Sequence, residues 1–441
     1  MVRRWFVLAA LFPVVALGAD RHLLRYTSSI PISFQSSLAT LDGALISIHN
    51  GAGFVVVGDL TDEEAAQLAK ETGAADVLPD VGIRLRLGGL GDAADPRISI
   101  ATSQPSPENA SVYSWQWHLR AIGADKAWAA GRLGSPDVTV AVIDTGVSYE
   151  HPDLAGRVDL SRSVSFVPSD DADVAAIFPG RHPVTDLFYH GTHVAATITS
   201  NAQVAAGVTQ NVTIMGIKVL SRWGEGTIAG VLDGVLWAAD HGADVANLSL
   251  GDTLPKSHNG RYVAMIHQAF NYAHRKGTLV VVAAGNEGRD LDHDRSSFNM
   301  FCNAANVVCV SATGPYVAES INGPWTGVDD FAWYSNYGRS SISVAAPGGT
   351  GAARVWAACS KTSLLVPFCQ ASDEVLGIGG TSMAAPHVAG LAALIVEDVG
   401  HGRPSQVKAR LLQSADDLGA RGVDPLYGHG RINVPKALGL E

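Results

Sequence analysis

Apolar residues along the chain follow two patterns, short continuous runs and longer stripes at helical spacing. The runs are typical of strands buried on both faces, and they lie at 138–143, 212–220, 245–250 and 279–284. Residues 227–241 carry apolar side chains at intervals of three and four, 262–276 form a second predicted helix, and Gly242 and Gly277 end the two. Buried runs joined by helices predict an α/β fold, with a mostly parallel β-sheet and helices on both of its faces.

Two polar residues follow the ends of buried runs. Asp144 comes directly after 138–143, and Asn286 follows 279–284 after one glycine. Sites in parallel sheets form at the carboxyl ends of the strands. The sequence therefore predicts that Asp144 and Asn286 belong to a functional site.

A serine stands at the start of the most apolar helical stretch. Ser382 precedes a run of small and apolar residues that reaches Ile395 and is too apolar for a surface helix. At such a position the helix dipole and the serine's own unpaired N–H favour a developing oxyanion. Pro386 leaves the Ser382 carbonyl without its usual helical partner. Taken alone, the serine is better explained as a simple helix N-cap.

A second polar helix start is His190, followed after three residues by His193. The two histidines could form a metal pair on one helical face, but no glutamate follows His190 and no third ligand is indicated. Together, Asp144, His190 and Ser382 supply the acid, base and nucleophile of an acyl-transfer site, with Asn286 as a neutral donor.

Several sequence blocks resemble the signatures of subtilisin-like serine proteases, in the order of that family. The blocks around the four candidate residues are 142–146, 190–195, 285–288 and 380–390, and further matches lie at 247–251, 345–348 and 427–433. The resemblance covers the chain from about residue 115 to the C-terminus. It implies a subtilisin-like peptidase domain over 113–441 that acts on protein or peptide substrates as a monomer and needs no cofactor for the chemistry.

Chemistry and the resemblance together assign the roles. Ser382 attacks the scissile carbonyl, His190 transfers its proton, and Asp144 holds the imidazole in the required tautomer. Asn286 and the Ser382 N–H bind the oxyanion, and losing such a side-chain donor costs about 3–4 kcal/mol of transition-state stabilisation. His193 and His387 are interpreted as packing residues.

The family resemblance also implies a primary substrate pocket between two short segments. The residues expected to bind substrate are Ser249, Leu250, Gly251, Ala283, Ala284 and Gly285. Their small side chains favour a large apolar or aromatic residue before the cut, with the substrate strand beside 249–251. Asp252 would favour arginine or lysine instead if its carboxylate pointed into the pocket; the sequence favours an exposed carboxylate.

Residues 19–88 predict a small separate α+β domain. A strand at 53–57 precedes a capping box at Thr61 and Glu64, a helix that ends at Gly73, and an alternating segment at 81–87. The unit resembles the family's inhibitory propeptide, so the chain's own propeptide is an expected intramolecular partner. Residues 89–112 lack periodicity and predict a linker that is cut by the enzyme itself between Gly88 and Tyr113.

The N-terminus predicts export. Two arginines precede an apolar run at 5–17, which indicates a signal peptide over 1–18 and is too short to span a bilayer. No later stretch is interpreted as a membrane anchor. The protein is therefore expected to be secreted, or periplasmic.

Cysteine spacing and charge agree with an exported protein. Among three connectivities, the local pairs Cys302–Cys309 and Cys359–Cys369 are favoured, with free core cysteines as the alternative. The net charge of −11 argues against nucleic acid or an anionic membrane as the main partner.

The sequence departs from the family pattern at one residue of the helix that follows His190 and at a possible calcium site. Ala196 replaces a frequent glycine, with little expected effect. Asp153 resembles a ligand of a structural calcium, although 201–207 is shorter than the corresponding loop of subtilisin and one carboxylate supplies too few oxygens.

The sequence leaves two rival functions open. One is a binding protein that keeps the fold without catalysis, and the other is a dedicated processing enzyme with one partner. The full set of catalytic groups argues against the first. The lack of sequence after Glu441 favours a general protease over the second.

Overall fold

A computed structural model of the chain describes residues 20–87, 106–257, 259–370 and 373–441, together with the backbone of Arg3–Arg4 and Asp92–Ala94. The predicted signal peptide lies outside the described residues except for the two-residue strand Arg3–Arg4. Most of the predicted linker also lies outside them.

The centre of the molecule is a seven-stranded sheet in which every pairing is parallel. Its strands, in chain order, are β7 (Thr139–Asp144), β8 (Val164–Ser165), β9 (Thr213–Lys218), β11 (Val245–Leu248), β13 (Leu279–Ala283), β15 (Val307–Thr313) and β18 (Val344–Pro347). Their order across the sheet is β18-β15-β13-β11-β7-β9-β8. The parallel sheet predicted from the buried runs is confirmed.

Helices cover both faces of this sheet. They are α3 (Trp117–Ala121), α4 (Ala124–Ala129), α5 (Pro168–Ile177), α6 (His190–Ile198), α7 (Ile228–Asp240), α8 (Gly260–Lys276), α9 (Thr381–Val399), α10 (Pro404–Gln413) and α11 (Val434–Ala437). Along β7, Val140 and Val142 join the core that contains α6 and α9, whereas Ala141 and Ile143 join the core of α7 and α8. One strand therefore contributes side chains to two cores, as expected for a sheet buried on both sides.

Helix α9 is the central element of the first core. Within the described part of the chain it alone is long and apolar enough to cross a membrane, but 83% of the relevant window is buried inside the protein. It packs against α6, α10 and five strands of the sheet. The helix is therefore a core element, as its apolar composition predicted.

The N-terminal domain is a four-stranded antiparallel sheet with two helices. Its elements are β1 (His22–Arg25), α1 (Phe34–Ala39), β2 (Ala44–His49), β3 (Phe54–Gly58), α2 (Asp62–Thr72) and β4 (Asp76–Pro79), and the strand order is β2-β3-β1-β4. The predicted capping box is confirmed, because the Thr61 hydroxyl accepts from the Glu64 N–H and the Glu64 carboxylate accepts from the Thr61 N–H. Gly73 ends α2 at a φ of 72°, a left-handed conformation that favours glycine.

The segment after this domain extends along the larger domain. β5 (Gly82–Arg84) pairs antiparallel with β10 (Glu225–Thr227), and the backbone of β6 (Asp92–Ala94) pairs with β20 (Val375–Ile378). Strand β20 also pairs with β19 (Val355–Ala358). The periodicity of 81–87 thus predicted a strand correctly, but its partner belongs to the other domain.

The shorter elements are two-residue to four-residue strands and turns of 3₁₀-helix. The strands are β12 (Thr253–Pro255), β14 (Ser297–Asn299), β16 (Val317–Ala318) and β17 (Trp325–Thr326), and the 3₁₀ turns are Pro107–Asn109, Tyr113–Trp115 and Pro367–Gln370. The cysteines pair as predicted, Cys302 with Cys309 and Cys359 with Cys369, at Cα separations of 5.1 and 5.7 Å.

Candidate active site

The first pair of candidate residues is a buried carboxylate and imidazole. Asp144 is the last residue of β7 and His190 the first of α6. The His190 Nδ1 lies 2.8 and 3.0 Å from the two Asp144 carboxylate oxygens, and both side chains are fully buried. Its Nε2 has no hydrogen-bond partner within the described structure, so this nitrogen is available as a base toward the cavity that His190 and Ser382 both line.

Gly191 allows this close approach. A Cβ at this position would lie 2.2 Å from the Gly146 carbonyl oxygen and 3.1 Å from the Asp144 Cβ. The Gly191 N–H also donates to the Thr145 hydroxyl at 2.9 Å. A side chain at residue 191 would therefore push α6 away from β7 and separate the base from its carboxylate.

The nucleophile candidate lies in the first turn of α9. The Ser382 hydroxyl donates to the Ser249 carbonyl at 3.0 Å, and the Ser249 hydroxyl donates to the Ser382 carbonyl at 2.7 Å. Pro386 has no N–H to donate to the Ser382 carbonyl, and the Ser249 hydroxyl donates to that carbonyl instead. This confirms the prediction that the Ser382 carbonyl lacks its usual helical partner. In this arrangement the Ser382 proton points to Ser249, so the hydroxyl must turn to His190 before transferring it.

Asn286 is held in one orientation by the residue before the serine. Its Oδ1 accepts from both the N–H and the hydroxyl of Thr381, each at 2.9 Å, and the same hydroxyl accepts from the Gly285 N–H at 3.1 Å. The amide nitrogen of Asn286 then donates to the backbone carbonyl of Arg86 at 2.7 Å. Sequence reasoning missed Thr381 as the residue that orients Asn286, although its position beside Ser382 was the available signal.

The segment after the N-terminal domain occupies the cleft between these groups. The Leu85 N–H donates to the Gly224 carbonyl at 2.7 Å, and Leu87 lines the small cavity with His190 and Ser382. The strand pairing of this segment is with β10. The strand predicted beside 249–251 was that of a substrate, and that pairing stays a prediction.

Four of the six residues predicted to bind substrate lie around Arg86. Leu250, Gly251, Ala283 and Gly285 line one cavity with it. Ser249 contacts Ser382 instead, and the Ala284 carbonyl accepts from the side chains of Asn299 and Asn336. The first four residues are thus placed to contact a side chain entering this cavity.

A buried carboxylate supports the loop that carries the base. Asp186 accepts from the Thr145 hydroxyl, from the Thr192 N–H and hydroxyl, and from the Phe188 N–H. Burial raises the pKa of Asp186 to about 6, and these hydrogen bonds lower it only in part. Because the folded carboxyl binds a proton more tightly than the unfolded one, this group reduces stability as pH rises from about 4 to 6. Asp186 had no sequence signal beyond its position four residues before His190.

Three further histidines are buried beside α6 and α9. The Nδ1 of His118 lies 2.7 Å from the Nε2 of His387, whose own Nδ1 donates to the Met383 carbonyl at 2.7 Å. The Nε2 of His193 donates to two backbone carbonyls. Burial lowers the pKa of His193 to about 3 and that of His387 to about 4, and lowers that of His118 well below its usual value. All three therefore pack as neutral rings, as predicted for His193 and His387.

The histidine cluster predicts a loss of stability in acid. The unfolded imidazoles bind protons below about pH 6.5 whereas the folded ones do not, so stability falls as pH drops from about 6.5 toward 4. The contribution of His387 is on the order of 3 kcal/mol, and neighbouring Arg120 and His193 also oppose charging of His118. We expect His387→Gln to weaken the dependence of the thermal midpoint on pH, measured on protein that also carries Ser382→Ala. The same substitution at exposed His429 is the control, and equal slopes for the two variants would contradict the prediction.

The contacts of Asp153 do not fit the role of calcium ligand that the family resemblance implied. One carboxylate oxygen accepts from the N–H groups of Gln203 and Val204, both at 2.9 Å, and the other accepts from the Ala205 N–H at 3.0 Å. Both oxygens of this fully buried group thus hold the short loop directly. In the part of the chain that the structure describes, no cluster of three or more His, Cys, Asp or Glu side chains could hold a metal ion.

Replacing Asp153 with alanine is expected to lower the thermal midpoint. The change leaves three loop N–H groups without partners, and each unsatisfied buried group costs about 1–3 kcal/mol. Added calcium should not restore stability, and a chelator should leave the wild-type midpoint unchanged. Calorimetry of both proteins with and without calcium tests this, and a calcium-dependent midpoint in the wild type would restore the metal interpretation.

Comparison with known proteins adds to this geometry. A model of the subtilase family matches residues 135–430. The chain is 31% identical to a thermophilic serine proteinase of Bacillus sp. (strain AK1), covering 85% of the chain and 84% of that protein, and 32% identical to thermitase of Thermoactinomyces vulgaris, covering 76% and 99%. Among solved structures, it is similar to the epidermin leader peptide processing serine protease of Staphylococcus aureus, with a TM-score of 0.72 at 20% identity over 96% of the chain and 98% of that structure. A lanthipeptide protease has a TM-score of 0.62 at 26% identity, covering 77% and 100%.

Proposed function

Because this chain belongs to the subtilase family and is a serine protease, we propose that it is a secreted endopeptidase with an Asp144–His190–Ser382 triad, made as a self-processing zymogen. The observation that carries the proposal is the hydrogen bond from Asn286 to the Arg86 carbonyl beside Ser382. A backbone carbonyl of the chain itself thus contacts the donor expected to bind an oxyanion.

The proposed reaction uses side chains and water. His190 takes the Ser382 hydroxyl proton on its Nε2 as the serine oxygen bonds to the scissile carbonyl carbon. The carbonyl oxygen becomes an oxyanion held by the Asn286 amide and the Ser382 N–H. The peptide C–N bond then breaks, the leaving nitrogen takes the proton from His190, and an ester to Ser382 remains. Water gives a proton to His190 as its oxygen bonds to the ester carbon, the C–O bond to Ser382 then breaks, and His190 returns the proton to the serine oxygen as the acid is released.

Asp144 serves this cycle through its contact with the His190 Nδ1. A proton on Nδ1 leaves Nε2 free to act as the base, and the carboxylate stabilises the imidazolium that forms. Its full burial strengthens this electrostatic contact relative to one in water.

The zymogen proposal is supported by how the N-terminal domain meets the larger domain. Its tail enters the cleft through β5, and the Tyr262 hydroxyl donates to the Pro79 carbonyl at 2.6 Å. The buried Asp80 carboxylate accepts from the Ala229 N–H at 3.0 Å, within the first turn of α7. Residues 19–88 are thus proposed as an intramolecular inhibitor that blocks the cleft until the linker is cut.

The remaining parts of the proposal follow from the sequence. Residues 1–18 act as a signal peptide for export, 89–112 form the linker, and 113–441 form the peptidase domain that acts on protein or peptide substrates as a monomer. The two cysteine pairs accord with an oxidising compartment.

The proposal is tested with the full chain and a serine-directed reagent. Purified protein should digest an unfolded protein, and a fluorophosphonate should stop digestion while adding its mass to the peptide that contains Ser382. Label on Ser249 or no inhibition would contradict the assignment of the nucleophile. Absence of digestion in a correctly folded, processed sample would favour the rival binding protein.

A further inference from the structure

We propose that the primary specificity pocket selects arginine through Asp252 and Glu287, and that the enzyme cuts its own chain at the Arg86–Leu87 bond. This deepens the proposed function and rests on it. The inference comes from the backbone and the side chain of Arg86, which point to the same bond independently.

The backbone contacts define which bond lies at the nucleophile. The Asn286 amide donates to the carbonyl of Arg86, and Leu87 lines the cavity that His190 and Ser382 share. Leu85, on the other side, is bound through its N–H to Gly224. The chain therefore passes the catalytic groups with Arg86 before the reacting carbonyl and Leu87 after it.

The Arg86 side chain lies between two carboxylates. Its Nη2 is 3.3 Å from the Asp252 Oδ1, and its Nε is 3.6 Å from the Glu287 Oε1. The guanidinium side chain is 56% exposed, so water screens the attraction, but the carboxylates themselves are only 16% and 21% exposed. A planar guanidinium reaches both acids at once, whereas a lysine ammonium is a single point charge.

Both carboxylates are held in place by other groups. The Asn336 amide donates to the second Glu287 oxygen at 2.7 Å, and the Thr253 N–H donates to the Asp252 Oδ1 at 2.8 Å. These contacts leave the Glu287 Oε1 directed at Arg86. The acidic groups are thus preorganised for a cation, which reduces the entropy lost on binding.

Residues further from the cut add a second preference. Arg84 pairs with Glu225 at 2.7 Å, and Ile83 is buried in the core beside α7. The expected substrate is therefore an extended peptide with arginine before the cut, and with a basic and an apolar residue two and three positions earlier. A dedicated processing enzyme would use such a requirement more than a general digestive one.

This inference reverses the substrate preference expected from sequence. The small residues of the pocket predicted a large apolar or aromatic side chain, and Asp252 was interpreted as an exposed carboxylate. In the structure Asp252 is mostly buried and contacts Arg86, while Glu287, one residue after Asn286, received no role from the sequence. The proposed bond lies just before the range 88–113 predicted for the cut.

Hydrolysis at this bond follows the steps given above. The Ser382 oxygen bonds to the Arg86 carbonyl carbon and its proton passes to His190. The Arg86–Leu87 C–N bond breaks, the Leu87 nitrogen takes the proton, and water releases Arg86 as a free carboxylate. The products are an N-terminal fragment that ends at Arg86 and a chain that begins at Leu87.

Peptide substrates test the preference in the processed full-length enzyme. Two peptides that differ only in arginine or phenylalanine before the cut should show a kcat/KM ratio of at least about tenfold in favour of arginine, as expected for close charge pairs. Asp252→Asn and Glu287→Gln should each lower that ratio, and exposed Glu319→Gln should not. Preference for phenylalanine in the wild type, or a ratio unaffected by both substitutions, overturns the inference alone. If the enzyme cuts neither peptide, the proposed function and this inference both fail.

Self-cleavage tests the bond without relying on pocket variants. Intact-mass analysis over time should show fragments that end at Arg86 and begin at Leu87. Arg86→Leu should slow their appearance at least about tenfold, Arg86→Lys should slow it less, and exposed Arg421→Leu serves as the matched arginine control. A cut only at another bond, or an Arg86→Leu precursor that is processed at the wild-type rate, would show that arginine is not the selected residue.

Discussion

The Ser382→Ala protein is expected to accumulate as an uncut precursor that begins after the signal peptide. Its loss of activity should be about 10⁶-fold in kcat, a magnitude known for removal of the serine in subtilisin, a relative of this chain. The hydroxyl makes one hydrogen bond, to the Ser249 carbonyl, so its removal should hardly disturb α9. The Ser249 hydroxyl still fills the open position at the Ser382 carbonyl.

Intact-mass measurement of wild type and variant, purified without other proteases, checks this expectation. Exposed Ser340→Ala should be processed like the wild type. Calorimetry should give the Ser382→Ala precursor a single cooperative transition that includes the N-terminal domain. If the alanine variant is trimmed at the wild-type bond, another protease performs the cut and the self-processing proposal fails.

Asp144→Asn is expected to lower kcat about 10⁴-fold while the protein stays folded. The carboxylate accepts from the Thr145 N–H at 2.7 Å, and an asparagine oxygen can keep that bond. The amide is neutral and no longer stabilises the imidazolium, and its nitrogen, which replaces the oxygen 3.0 Å from the His190 Nδ1, can only donate to that ring nitrogen and so favours the tautomer with a proton on Nε2. The base then no longer faces the serine.

A fluorogenic peptide assay of Asp144→Asn measures this loss, with the thermal midpoint as a check on folding. Asp137→Asn is the matched control, since Asp137 is exposed near the other end of β7. At high pH the variant should recover part of its activity as hydroxide assists proton removal. Activity within tenfold of the wild type would mean that Asp144 does not orient the base.

Local pattern predicted the elements that build the site. Buried runs located β7 and β13, and the strand ends led to Asp144 and Asn286. Pro386 even indicated a local detail, the free Ser382 carbonyl, because a missing N–H is a property of the sequence itself. These features depend on neighbours within a few residues, where spacing and side-chain chemistry determine the geometry.

The features missed depend on contacts between distant segments. Arg84 and Arg86 alternate with apolar residues, so the pattern predicts a strand with one polar face. It does not distinguish a face exposed to solvent from one that contacts another protein surface. Their partners Glu225, Asp252 and Glu287 lie in other parts of the chain. The contacts of Asp153 were missed for the same reason, because its carboxylate accepts from three N–H groups of a loop about fifty residues later.

The proposed catalytic groups come from elements spread over most of the larger domain, at the end of β7, the start of α6, the segment after β13 and the start of α9. None of these positions exists until the sheet is complete and α9 has entered its core. A chain that has misfolded, or that stops before α9, has no means of cutting itself. Under the proposed self-cleavage, the cut would record that a given molecule reached its native structure, and the ratio of cut to uncut chains would report the yield of folding.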